Sequence, residues 1–111
     1  MISSAEGKQG YVDAAGAKAD KEKYKSFATD VLLDPTGSVG KAYEAKTTPH
    51  MYVIDPAGNL AYQGAIDSIA DASMDSVKEA KNYVAMALDE IAAGKGVSRA
   101  KTDAYGCGVK Y

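Results

Sequence analysis

Large apolar side chains are scarce in this chain, and that limits what it can build. Of its 111 residues, 20 are alanine, whereas valine, isoleucine, leucine and phenylalanine together supply 18. One small core is all that this stock can fill, so a single domain is expected over 1–111. A low aliphatic content goes with disorder when net charge is high, but 13 basic residues against 15 acidic ones leave −2. A folded, alanine-rich α/β domain is the expectation.

The same balance excludes several classes. The longest apolar run is Val84 to Leu88, five residues against the roughly 20 needed to cross a bilayer, so no membrane partner is expected. No basic stretch followed by an apolar one opens the chain, which predicts a cytoplasmic location. Lysine and arginine are not clustered, so nucleic acid is not expected as a partner. Cys107 and His50 are the single cysteine and the single histidine, which excludes an intrachain disulfide and any multi-cysteine zinc site. No metal or cofactor is expected.

Local patterns predict the elements. Met1 to Ser4 reads as the end of a strand. From Gln9 to Lys25, Tyr11, Ala15 and Ala19 recur every four residues, predicting a weakly amphipathic helix with an interruption at Gly16. Val31 to Leu33 reads as a buried strand closed by Asp34-Pro35, with Asp34 capping a short helix over Ser38 to Tyr43 and Pro35 in its first turn. Met51 to Ile54 and Leu60 to Gln63 flank Asp55-Pro56-Ala57-Gly58-Asn59, the chemistry of a type I turn followed by a positive-φ glycine, and predict an antiparallel hairpin. Val77, Ala80, Val84, Ala87, Leu88 and Ile91 follow a helical repeat, so one long helix is predicted, with Ser76 and Glu79 as a capping box and Gly94 as the stop. The glycine-rich tail, 95–111, reads largely as surface coil.

Four stretches in order carry more than a generic α/β reading: Ser3-Ser4-Ala5-Glu6-Gly7-Lys8-Gln9-Gly10-Tyr11, Val31-Leu32-Leu33-Asp34-Pro35-Thr36-Gly37, Thr47-Thr48-Pro49-His50-Met51-Tyr52-Val53-Ile54-Asp55 and Gly106-Cys107-Gly108-Val109-Lys110-Tyr111. Together they resemble the thioredoxin-like redoxin superfamily, in particular the peroxiredoxin-like group of alkyl hydroperoxide reductases and thiol-specific antioxidant proteins. The resemblance implies a truncated thioredoxin-like α/β fold, a mixed sheet with flanking helices. It also implies that Thr48, Pro49 and His50 form a cis-proline loop beside a redox cysteine.

Members of that family place a strand and a cysteine-bearing helix before the segment that matches Met1 to Ser4. The chain therefore reads as an incomplete domain, the carboxy-terminal portion of a redoxin whose parent activity is peroxide reduction or thiol–disulfide exchange. Alone it is expected to be inactive, because a helix amino terminus is what favours the reactive thiolate. Cys107 is the redox candidate, as a second thiol, beside the plainer reading of an incidental tail thiol. His50 reads as a residue ordering the loop after Pro49. Asp34 and Asp55 precede prolines and read as turn and capping residues, leaving Asp67 without a carboxylate partner for acid–base work. Tyr43, Tyr52 and Tyr62 read as half-buried packing aromatics.

Two further readings stay open: a non-catalytic dimerisation or interaction module, and a thiol enzyme working through Cys107 alone. Short strands with unpaired edges predict a homodimer through residues near Met1 to Ser4 or Met51 to Ile54, or pairing with a redoxin partner.

Overall fold

A computed structural model describes residues 1–70 and 73–111, and it is a mixed α/β structure. The chain divides into two compact units, Met1–Ala45 with Val109–Tyr111, and Lys46–Gly108.

In the first unit β1 (Ile2–Ser4) pairs in parallel with β2 (Leu32–Asp34), Ser4 opposite Asp34. Between them lies α1 (Ala14–Lys23), capped by Asp13, whose side chain accepts the Gly16 N–H at 2.8 Å. Gly16 is thus part of the capping geometry and interrupts nothing. The buried position of α1 is Ala17, while Ala15 and Ala19 are exposed, so the four-residue repeat marks the wrong face. Lysines, aspartate and glutamate occupy most of the remaining turns, leaving alanine as the only apolar residue type on the helix, too weak a signal to orient it.

The strand β2 is also not the buried run that Val31 to Leu33 predicted. Leu32 is 58% exposed and Leu33 39%, and the buried residue of the strand is Asp34. The carboxylate goes inside because it is saturated with donors, whereas the two-stranded layer gives its leucines little to pack on. After β2, Asp34 to Gly37 makes a turn, the Gly37 N–H donating to the Asp34 carbonyl at 3.0 Å. Pro35 therefore lies in this turn, ahead of the first turn of α2 (Ser38–Ala42), and Gly37 is the residue at the helix start, with φ of 71°.

In the second unit β4 (Met51–Ile54) and β5 (Leu60–Gly64) form the expected antiparallel hairpin. The turn closes as its chemistry demands: the Gly58 N–H donates to the Asp55 carbonyl at 2.9 Å, the Asp55 side chain accepts the Asn59 N–H at 2.8 Å, and Gly58 has φ of 88°. Against the hairpin packs α4 (Tyr83–Ala92), and Val53, Tyr62 and Ala87 make the core, flanked by Met51, Tyr83, Val84, Ile91 and Val97.

The long helix expected over 77–91 is two helices, α3 (Met74–Glu79) and α4. Between them Lys81 exchanges hydrogen bonds with Ser68, its N–H donating to the Ser68 hydroxyl at 2.8 Å and its carbonyl accepting the Ser68 N–H at 2.9 Å. Asn82 is extended, bridges Asp67 and caps α4 by accepting the Ala85 N–H at 2.9 Å. These pairings with a distant segment outweigh the helical repeat. Ser76, expected as the cap, falls inside α3, and the side chains of Ser76 and Val77 lie outside the described residues. Gly94 ends α4 as expected, with φ of 72°.

The tail is largely coil, as expected, but it is pinned at a few points. Lys101 bridges Gln63, and Thr102 accepts the Ala65 N–H at 3.0 Å and shares a 2.7 Å hydrogen bond with the Tyr62 hydroxyl. Cys107–Gly108 form a short strand, β6, against β3 (Thr47–Thr48). Backbone pairing supplies the order that the composition, four glycines from Gly94 to Gly108 with little apolar content, does not announce.

Candidate functional site

The residues singled out for chemistry meet at β3 and β6. These strands are antiparallel, with Thr48 directly opposite Cys107 and Thr47 opposite Gly108. Residues facing each other in such a pair show their side chains on the same face, Cβ atoms about 5 Å apart, so the register sets the Cys107 thiol beside the Thr48 side chain. The Thr48–Pro49 peptide is cis. Cys107 is exposed and not in a disulfide.

Gly106 explains why the thiol can come so close to the loop. Its φ is 135°, and a Cβ there would overlap the carbonyl of Thr48 and crowd Pro49. Only a residue without a side chain lets the tail lie flat on the loop at this point. The Gly-Cys pair is therefore one device, a close approach followed by a thiol.

The loop is held from within. The Thr47 hydroxyl donates to the Pro49 carbonyl at 2.9 Å, and the His50 Nδ1 accepts the Lys46 N–H at 3.2 Å. The His50 ring stacks on Tyr52, with centroids 4.7 Å apart and planes at 20°. Partial burial pushes the imidazole below its usual value and the Lys46 charge adds to this, so His50 is neutral at pH 7 with Nδ1 free to accept. A protonated ring would lose that acceptor. His50 accordingly orders the loop after Pro49.

The carboxylates do not converge. Asp55 holds the hairpin turn, while Asp67 accepts the Tyr105 hydroxyl and the Ile69 N–H, at 2.5 and 3.0 Å. The hydrogen bond to Asp67, with burial and the aspartate charge, pushes the Tyr105 phenol up to about 12. Of the three tyrosines expected to be half-buried, Tyr62 is fully buried, Tyr52 is intermediate and Tyr43 is 40% exposed. Among the described residues no group of three or more His, Cys, Asp and Glu is arranged to hold a metal ion. No helix among them is long and apolar enough to cross a membrane.

The strongest polar constellation was only half read from sequence. Asp34, 4% exposed, accepts the Ser4 hydroxyl at 2.8 Å, the Gly40 N–H at 2.9 Å, the Val39 N–H at 3.2 Å and the Ser38 hydroxyl at 3.3 Å. Burial raises its carboxyl, but the combined hydrogen bonds outweigh burial and leave it below the usual carboxylate range. It caps α2 as expected, though from three residues ahead of Gly37, and it also binds β1 through Ser4. Saturated in this way, the carboxylate is a structural hub with no lone pair directed at a substrate.

Comparison with protein-family models, with curated proteins and with solved structures gives no match.

Proposed function

We propose that this chain is the carboxy-terminal portion of a thiol-dependent redoxin of thioredoxin-like fold, whose whole performs peroxide reduction or thiol–disulfide exchange. The observation that carries the reading is the register of β3 and β6, which sets the single thiol, Cys107, opposite Thr48 of the Thr-Thr-Pro-His loop. In the family that the sequence resembles, that loop lies beside the reactive cysteine. A thiol here is placed to meet an incoming sulfur as a second, resolving group. It has no helix amino terminus of its own, because it sits in a two-residue strand, so it is not the activated nucleophile.

The test is the DNA upstream of the Met1 codon and the product it encodes. An in-frame strand followed by a cysteine-bearing helix, and a longer product that consumes peroxide or reduces insulin disulfides, support the reading. An in-frame stop codon directly upstream overturns it.

A second reading, a dimerisation module, is favoured by the two-stranded β1–β2 sheet. Ile2 is 50% exposed, Leu32 58% and Leu33 39%, and neither strand has a second neighbour among the described strands. Among the described strands β4 pairs with β5 alone. Such edges close by pairing with a second copy, and a homodimer packed on the face of β1–β2 that carries Leu32 would cover that side chain. Light scattering at micromolar concentration then gives a dimer mass, and Leu32→Glu gives a monomer; a monomeric wild type sinks this reading.

A further inference from the structure

The loop that carries β3 is tied across its base by one imidazole. The backbone N–H of Lys46 can only donate, and it donates to Nδ1 of His50 at 3.2 Å, so at neutral pH Nδ1 is bare and the ring proton sits on Nε2. Stacking on Tyr52 of β4, with centroids 4.7 Å apart, fixes the plane in which that nitrogen lies. Inside the loop the Thr47 hydroxyl donates to the Pro49 carbonyl at 2.9 Å, a bond that does not involve the ring. Thr47 follows Lys46 directly and pairs with Gly108, so the imidazole secures the end of the β3–β6 ladder nearest Lys46. Facing the ring are Lys46, whose ammonium charge opposes a second positive charge, and the phenol of Tyr52.

We propose that His50 is an acid-sensitive latch on this loop: the neutral ring closes it on Lys46, and the imidazolium releases Lys46 and loosens the Thr47 end of β3. A proton on Nδ1 turns the acceptor into a second donor that meets the Lys46 N–H donor to donor, so the hydrogen bond is lost outright. Lys46 is exposed, and its freed amide takes a water molecule instead, which keeps the cost of opening small. Partial burial and the Lys46 charge both favour the neutral ring, so closure is complete above the usual value of 6.5 and is lost as pH falls below it. The Asp34 carboxyl, held below its usual 3.8, stays ionised over that range and takes no part. That the latch adjusts the surroundings of Cys107, opposite Thr48, rests on the redoxin reading; the latch itself does not.

An NMR titration of the chain from about pH 8 to about pH 5, the range in which histidine changes charge, reads the latch directly. The ring nitrogens of His50 give its tautomer and its midpoint, expected with Nε2 protonated at the alkaline end and the midpoint below 6.5. The Lys46 amide proton is expected to move upfield, and the Thr47 amide to shift, with that same midpoint, while the amide of Ala87, in the core, does not follow it. His50→Asn keeps an acceptor near the Nδ1 position and has no titrating proton, so its Lys46 amide is expected to stay downfield at every pH. His50→Phe keeps a ring over Tyr52 without an acceptor, and its Lys46 amide is expected at the acid-form position throughout. A Lys46 amide that ignores the His50 midpoint overturns the latch. So does one that still moves over the same range in His50→Asn. Neither result bears on the redoxin reading, which stands or falls on the sequence encoded upstream of Met1.

Discussion

Each unit is held together internally by a different kind of interaction. In Lys46–Gly108 a hairpin with a closed turn receives α4, and Tyr62, with no exposed surface, packs with Val53 and Ala87. In Met1–Ala45 with Val109–Tyr111 the leucines of β2 face solvent, and a carboxylate takes the buried position that an aliphatic residue would normally fill. An apolar core gains stability from area removed from water and is indifferent to moderate changes of pH. A polar hub gains it from fixed donors and fails when its acceptor is protonated. Both units carry large apolar residues, but the first leaves Ile2, Phe27, Leu32, Leu33 and Val39 exposed and buries a hydrogen-bonded carboxylate instead.

Truncating the core is the largest expected effect. Tyr62→Ala removes the largest buried ring and also the hydroxyl that binds Thr102 and the Ala65 carbonyl. The cost should be about 3–5 kcal/mol, read by denaturant unfolding, with exchange in the β4–β5 hairpin rising most. A fall confined to the first unit would break the contrast between the units.

Acid should act in the opposite place. The Asp34 carboxyl is lowered in the folded state, so its contribution to stability is complete above the usual value of 3.8 and is lost as pH falls through the lower, folded value. Amides of Val39 and Gly40 should therefore lose protection below pH 4 before the hairpin amides do. Asp34→Asn keeps one acceptor oxygen and replaces the other with a donor, so it should lower the melting temperature at neutral pH and remove this acid limb. An unchanged acid limb in Asp34→Asn would assign it to another group.

The smallest effect sharpens the account of the helix break. Asn82→Ala removes the side-chain acceptor for the Ala85 N–H and should cost about 1 kcal/mol. The cost should appear as fraying at the start of α4, seen by hydrogen exchange, and not as loss of the hairpin.

What the sequence made legible follows the reach of each interaction. The Asp55 to Asn59 turn and the Gly94 stop rest on residues within five positions of one another, and both stand as read. The break before α4 depends on Lys81 meeting Ser68, thirteen residues back, and a helical repeat carries no trace of such a partner. The Asp34 cap was readable because Pro35 and Ser38 are near, whereas its bond to Ser4 spans thirty residues and joins two strands. At the candidate site, Thr48, Pro49, His50 and Cys107 were all marked by resemblance, but their meeting depends on β6. Two residues, Cys107 and Gly108, show no alternation from which a strand can be recognised, and the one available signal was Gly106, needed where the tail touches the Thr48 carbonyl.

The central claim is that Cys107 is a second thiol and not an autonomous nucleophile. It is tested most directly by turnover of hydrogen peroxide and of insulin disulfides by the purified 111-residue chain, beside its Cys107→Ser variant and a free-thiol control. The account predicts rates for the chain that match the free-thiol control within about two-fold, since the thiol sits in a two-residue strand and not at a helix amino terminus. Cys107-dependent turnover ten-fold or more above that control, on the order expected of an activated thiol, would contradict it.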